Sequence, residues 1–149
     1  DNIKREIKRR LRFIDYAEVH FVSAKKGVGV QKLLNSVDKA YRSSIATFPT
    51  SKLTFILEGA IEEHQPPLVN GRRIKLRFAH SGGHNPPVIV IHGNQTKAVP
   101  PHYTKYLEGV FRRELGLHGT PINIAYKSAV NPFANKISKT VAKKKTRSS

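Results

Sequence analysis

PHYTKYLEGVFRRELGLHGTPINIAYK, residues 101–127, decides the fold. Pro100 and Pro101 stand where a helix start tolerates proline, because the first N–H groups have no partner within the helix. Tyr103, Tyr106, Leu107, Val110, Phe111 and Leu115 recur at three- and four-residue spacing and form one stripe. Lys105, Glu108 and Arg112 fall on the other side. Gly116 and Gly119 end the helix, and Gly119-Thr120-Pro121 turns the chain. Ile122, Ile124 and Tyr126 then alternate with Asn123, Ala125 and Lys127, the period of a half-buried strand. A helix feeding a strand needs a sheet to pack on.

The sheet is legible upstream. Arg72–Phe78 alternates, with Ile74, Leu76 and Phe78 expected on one face and Arg73, Lys75 and Arg77 on the other. A loop, His80–Pro87, leads to Val88–His92, an apolar run that suits a central strand. Before these, Leu53, Ile56, Leu57, Ala60 and Ile61 mark a helix that Thr50 or Ser51 could cap and Pro66-Pro67 closes. Residues 50–127 therefore read helix, strand, strand, helix, strand. Two helices on one face of a three-stranded sheet leave the other face polar and basic.

The first 45 residues have a different character. Ile3, Ile7, Leu11 and Ile14 form a narrow stripe among six cations, either an amphipathic surface helix or an RNA contact. Ala17–Ser23 reads as a buried strand. Ala24-Lys25-Lys26-Gly27-Val28-Gly29 follows, and Val30, Leu33, Leu34, Val37, Ala40 and Tyr41 give a helical stripe. No G-x-x-x-x-G-K-[ST] is present, so this loop is not a phosphate cradle. Ser43–Pro49 is a polar, proline-ended link and the expected domain boundary. Residues 136–149 carry six cations, Lys136, Lys139, Lys143, Lys144, Lys145 and Arg147, with no acid and no apolar period. That composition predicts a disordered basic tail.

Lysine and arginine number 27 against 10 acids, a formal charge of +17 over 149 residues. Such a balance favours a polyanionic partner, most often RNA or DNA, sometimes an acidic membrane. Without cysteine there is no disulfide or thiolate metal site, which points to a reducing cytoplasm. No apolar run approaches the roughly 20 residues of a membrane helix, and no signal peptide is evident. The absence of methionine and the opening aspartate suggest a piece of a longer protein.

Several side chains invite a functional reading beside a plain one. Arg73, Lys75 and Arg77, extended by Asn123 and Lys127, could hold phosphates, contact another domain, or simply be the solvated side of an antiparallel sheet. His80 and His84 flank a Gly-Gly loop but lack a third ligand, so a polar loop is expected and no metal. His92 reads as a satisfied core or edge histidine. Tyr103, Tyr106 and Phe111 read as core; stacking on bases would need them exposed. Glu62 and Glu63 are adjacent, point apart from a helix, and make no acid/base pair. No catalytic residue is assigned.

Taken together, S-A-K-K-G-V-G-V at 23–30, Pro66-Pro67, Gly71-Arg72-Arg73-Ile74-Lys75 and Asn85-Pro86-Pro87 resemble the Der (EngA) family of bacterial GTPases with two consecutive G domains. Tyr103…Tyr106-Leu107 before Phe111-Arg112, Gly119-Thr120-Pro121-Ile122 and Asn131-Pro132 complete the resemblance. It implies an α/β (α+β) chain in three parts. Residues 1–45 would be a helix-strand-helix remnant of the second G domain, 46–128 a KH-like α-β-β-α-β domain with a three-stranded sheet, and 129–149 a basic tail. Ser23, Ala24 and Lys25 would then be the last guanine-recognition loop, with the Ala24 N–H meeting the guanine oxygen.

The resemblance further implies GTP and magnesium in the parent protein, and large-subunit ribosomal RNA and the upstream G domains as partners. The phosphate loop, the water-positioning switch and N-K-x-D are absent from this stretch, so it should be inactive by itself. The G-x-x-G of ordinary KH domains is missing too: Gly93-Asn94-Gln95-Thr96 ends in threonine. The alternative is a free-standing basic RNA-binding or ribosomal protein; an RNA-processing enzyme lacks any credible acid, base or metal cluster.

Overall fold

The computed structural model describes residues 2–128. Its elements are α1 (Asn2–Arg10), α2 (Val30–Ile45), α3 (Thr50–Glu63), β1 (Leu68–Val69), β2 (Arg72–Arg73), β3 (Lys75–Gly83), β4 (Val88–Asn94), α4 (Pro101–Leu115) and β5 (Asn123–Ser128). The expected α-β-β-α-β order over the second part is present, with a small hairpin, β1–β2, added before the sheet. None of the described helices is long and apolar enough to cross a membrane.

The sheet has the order β3-β4-β5. β3 and β4 are antiparallel, whereas β5 runs parallel to β4, so the sheet is mixed and not antiparallel throughout. A helical crossover, α4, is what allows two parallel strands to be adjacent.

α3 and α4 cover one face. Leu53, Ile56, Leu57 and Ala60 meet Tyr103, Leu107, Val110 and Phe111 over Ile74, Leu76, Ala79, Ile89 and Ile91. The helix ends are tied by phenols: Tyr103 donates to the His64 carbonyl at 2.6 Å and Tyr106 to the Ala60 carbonyl at 2.9 Å. Burial, with the nearby Tyr106 and Tyr126, pushes the Tyr103 phenol up to about 12. Gly116, at φ 63°, closes α4 with the Leu117 N–H bonded back to the Arg112 carbonyl at 3.0 Å.

Five sequence expectations need correction. Neither Thr50 nor Ser51 caps α3, because the helix begins at Thr50 and Pro49 holds the cap position. Arg72–Phe78 is not one strand: Asn70 and Gly71 both have positive φ, the two-residue turn that Asn-Gly favours, and Arg72–Arg73 pairs with Leu68–Val69. His80–Gly83 is strand, not loop, because β3 extends to pair with Val88.

The fourth correction matters most for function. The register between β3 and β4 slips between Leu76 and Phe78: Leu76 faces Gly93, yet Phe78 faces His92. One extra residue on β3 is a β-bulge, which reverses the alternation beyond it. Ala79 takes the core position and is fully buried, while Phe78 moves to the open face at 40% exposure.

The fifth concerns Ala17–Ser23, which forms no ladder; its one bridge pairs Ser23 with Val28. A buried strand needs neighbours for its backbone groups, and among the described residues none lies alongside. Phe21 is accordingly 56% exposed, as are Val37 (59%) and Tyr41 (63%) on the apolar stripe of α2.

Candidate nucleic-acid interface

The face of the sheet opposite α3 and α4 is built by alternation. On β4, Ile89, Ile91 and Gly93 face the core, which leaves Val88, Val90 and His92 on the other side. The register then sets Phe78 of β3, His92 of β4 and Lys127 of β5 in one row across all three strands.

Phe78 and His92 lie flat against each other, ring centroids 4.4 Å apart and planes 7° from parallel. His80 stands beside them, its Nε2 3.0 Å from Nε2 of His92. The tautomers follow from the acceptors. His80 Nδ1 is 3.0 Å from the Ser81 carbonyl, which can only accept, so Nδ1 carries the proton and the neutral ring presents Nε2 as acceptor. His92 must then donate from Nε2. Desolvation, followed by the nearby His80 and Lys127, holds the His92 pKa below its ordinary value of 6.5. The row is therefore aromatic, neutral in the middle and cationic at the β5 edge.

The predicted cations do not form a single patch. Arg73, Lys75 and Arg77 line one open depression of about 420 Å³ with Ile61, Gln65 and Pro66, beside the free edge of β3. All three are exposed. Lys127 is two strands away and also exposed. Arg77, the bulge residue, precedes Phe78 and links the two groups. The β3 edge is itself blunted at Ala79, whose N–H donates to Thr54 Oγ1 at 3.3 Å and whose carbonyl accepts from the same hydroxyl at 3.2 Å.

Ser23, Ala24 and Lys25 form a closed turn. The Ser23 N–H donates to the Val28 carbonyl at 2.9 Å, and Ser23 Oγ accepts the Lys26 N–H at 3.3 Å. Gly27 and Gly29 supply the positive φ values the turn requires. Ala24 and Lys25 are exposed at its tip. Lys136, Lys139, Lys143, Lys144, Lys145 and Arg147 lie outside the described residues.

The sequence reading places His80 in a polar loop and His92 in a separate strand, without joining them. His80 meets His92 across the ladder, not His84, and among the described residues no three potential ligands converge on a metal. Tyr103 and Phe111 are buried, as expected of core, and Tyr106 is half-buried. Phe78 was missed as a site residue because strict alternation assigns it to the core. The only sequence signal against that reading is the downstream pattern, in which Ala79 fits a core position as well.

Comparison with known proteins matches residues 47–127 to the KH-domain-like region of EngA bacterial GTPase enzymes, C-terminal. GTPase Der of Teredinibacter turnerae is 58% identical over 145 residues, covering 97% of this chain and 31% of the relative. GTPase Der of Saccharophagus degradans is 60% identical over 134 residues (90% and 28%), and that of Stutzerimonas stutzeri 60% over 136 residues (91% and 27%). The chain thus spans less than a third of the length of these curated relatives. With more than half of it matched by the KH-like region, the chain belongs to the Der (EngA) family of bacterial GTPases.

Proposed function

We propose that this chain is the RNA-binding end of a GTPase that acts in biogenesis of the large ribosomal subunit in the cytoplasm. Residues 46–128 serve as the binding module, and 129–149 add non-specific charge. Residues 1–45 complete the second G domain, where Ser23, Ala24 and Lys25 border the guanine of GTP. Phosphate and magnesium contacts come from elsewhere in the parent protein, and no hydrolysis step is assigned to this stretch.

The observation that carries the RNA reading is the exposed cation group Arg73, Lys75 and Arg77 around one depression, in a chain of formal charge +17. Cations this close together repel, and phosphate oxygens relieve that repulsion. A second reading, contact with an upstream G domain, is favoured for a different surface. Phe21, Val37 and Tyr41 expose apolar area where a larger domain would cover it.

Single-stranded RNA titrated into the full chain at several salt concentrations tests the first reading. Converting Arg73, Lys75 and Arg77 together to alanine should make the slope of log affinity against log salt shallower by about 2, since each lost phosphate contact contributes about 0.7. An unchanged slope would remove the depression from the RNA interface and give it to a protein neighbour.

A further inference from the structure

We propose that the row Phe78–His92–Lys127 is a stacking site for one unpaired base of single-stranded RNA. It rests on the RNA-binding reading above and names the ligand: a base splayed out of a loop or single strand, with its flanking phosphates.

Electrostatics alone would need no aromatic group here, yet a β-bulge brings one out. Without the extra residue at Arg77, Phe78 would point into the core. With it, the side chain stands on the solvent face with the residue 40% exposed, and His92 covers one face of the ring. The ring is also held in place. His92 packs parallel to it, His80 holds His92 by the 3.0 Å nitrogen–nitrogen hydrogen bond, and the Ser81 carbonyl holds His80. A side chain fixed before binding loses little conformational freedom on binding.

Charge complementarity selects the ligand. Arg77 adjoins Phe78 at one end of the row, and Lys127 closes the other end beyond His92, so the row offers cations to the phosphates that flank a stacked base. Among the described residues no acid shares this face: β3 brings Lys75, Arg77, Phe78 and His80, β4 brings His92 and Asn94 beside two valines, and β5 brings Asn123 and Lys127 beside an alanine. Aromatic residues on a sheet face, ringed by cations, are a recurrent means of holding unstacked bases, and base–aromatic stacking tolerates any sequence.

The chain contains no tryptophan, so Phe78→Trp places a single fluorescent reporter in the row. The probes are a ten-nucleotide oligoadenylate and an oligomer of the same length and charge carrying abasic sites. Oligoadenylate should quench the indole emission of this variant, and the abasic oligomer should not. In the full chain, Phe78→Ala and Phe78→Leu should each weaken oligoadenylate binding by about tenfold, a typical loss for one stacked base, with abasic binding and the salt slope unchanged. Phe78→Tyr should bind as the parent does. The leucine variant keeps an apolar side chain, so a loss shared by both variants is not a folding defect.

If both variants bind oligoadenylate as the parent does while the salt slope persists, the stacking site is overturned and the RNA reading stands. Failure of the parent chain to bind RNA in a salt-dependent way would overturn both. Emission that changes with added upstream G domains but not with RNA would make the row a protein contact, and would likewise overturn the proposal.

Discussion

The backbone of Gly119 lies so close to Ala40 that an added Cβ would stand 2.6 Å from the alanine methyl. This contact joins the N-terminal part to the turn after α4. Around it, the Gly119 N–H donates to the Tyr16 carbonyl at 3.2 Å and the His118 N–H to Ser43 Oγ at 3.1 Å. Arg112 completes the seam, 3.5 Å from Asp15 and with its guanidinium 5.4 Å from the centre of the Tyr16 ring. The seam is narrow and largely polar, so its stability depends on close backbone approach more than on buried area.

Gly119→Ala should therefore loosen the N-terminal part selectively. The φ of 63° costs an alanine about 1 kcal/mol, and overpacking against Ala40 adds about 1–3 kcal/mol. Limited proteolysis should cut residues 2–45 faster while 50–128 stays resistant. Combining it with Ala40→Gly should restore part of the loss, a non-additivity expected only of residues in contact. Equal proteolysis of parent and variant would show that the seam does not hold the two parts together.

Stability should fall as the solution is acidified through the histidine range. The unfolded chain binds a proton on His92 near 6.5, whereas the folded chain, which desolvates the ring and sets His80 and Lys127 alongside it, resists it until a lower pH. Between those values the unfolded state holds more protons, so stability is full above pH 6.5 and declines below it. His92→Gln should flatten this part of a plot of urea midpoint against pH. A slope unaltered by the substitution would assign the acid sensitivity to other groups.

Removing residues 136–149 deletes six cations. If about four of them follow phosphates, the salt slope for single-stranded RNA should become shallower by about 3. That loss should add to the effect of the Arg73, Lys75 and Arg77 substitutions, since the two sets of cations, with Arg77 and Lys136 as their nearest members in the chain, would bind separate phosphates. A slope untouched by the deletion would mean these cations remain solvated in the complex.

Residues 101–127 revealed the fold in the sequence because their two periods, 3.6 and then 2, are local properties of the chain. The stripe Tyr103, Leu107, Val110 and Phe111 needs an apolar surface to bury itself, and it finds one in α3 and the sheet. The family was legible too, in the spacing of glycines and prolines from Gly27 to Pro121, each constraining the backbone independently of distant contacts. Position by position along a strand, alternation worked for Ile74 and Leu76, and the apolar run Val88–His92 is the central strand it suggested. Beyond Leu76 on β3 it failed, at Phe78.

The reason is that a bulge belongs to a pair of strands. Its energy depends on how β3 and β4 fit together, including Gly93, where a Cβ would stand 2.2 Å from the Lys75 carbonyl oxygen. Within RIKLRFAH both Phe78 and Ala79 fit a core position, so that stretch by itself does not choose between the slipped register and the regular one. Tertiary structure alone put Phe78 beside His92, joined His92 to His80 twelve residues away, and separated Lys127 from the other predicted cations. The sequence determined that one sheet face would be basic, because charges at alternate positions cannot enter a core. Which rings and cations share that face was decided by the pairing of three strands, through contacts between residues far apart in the chain.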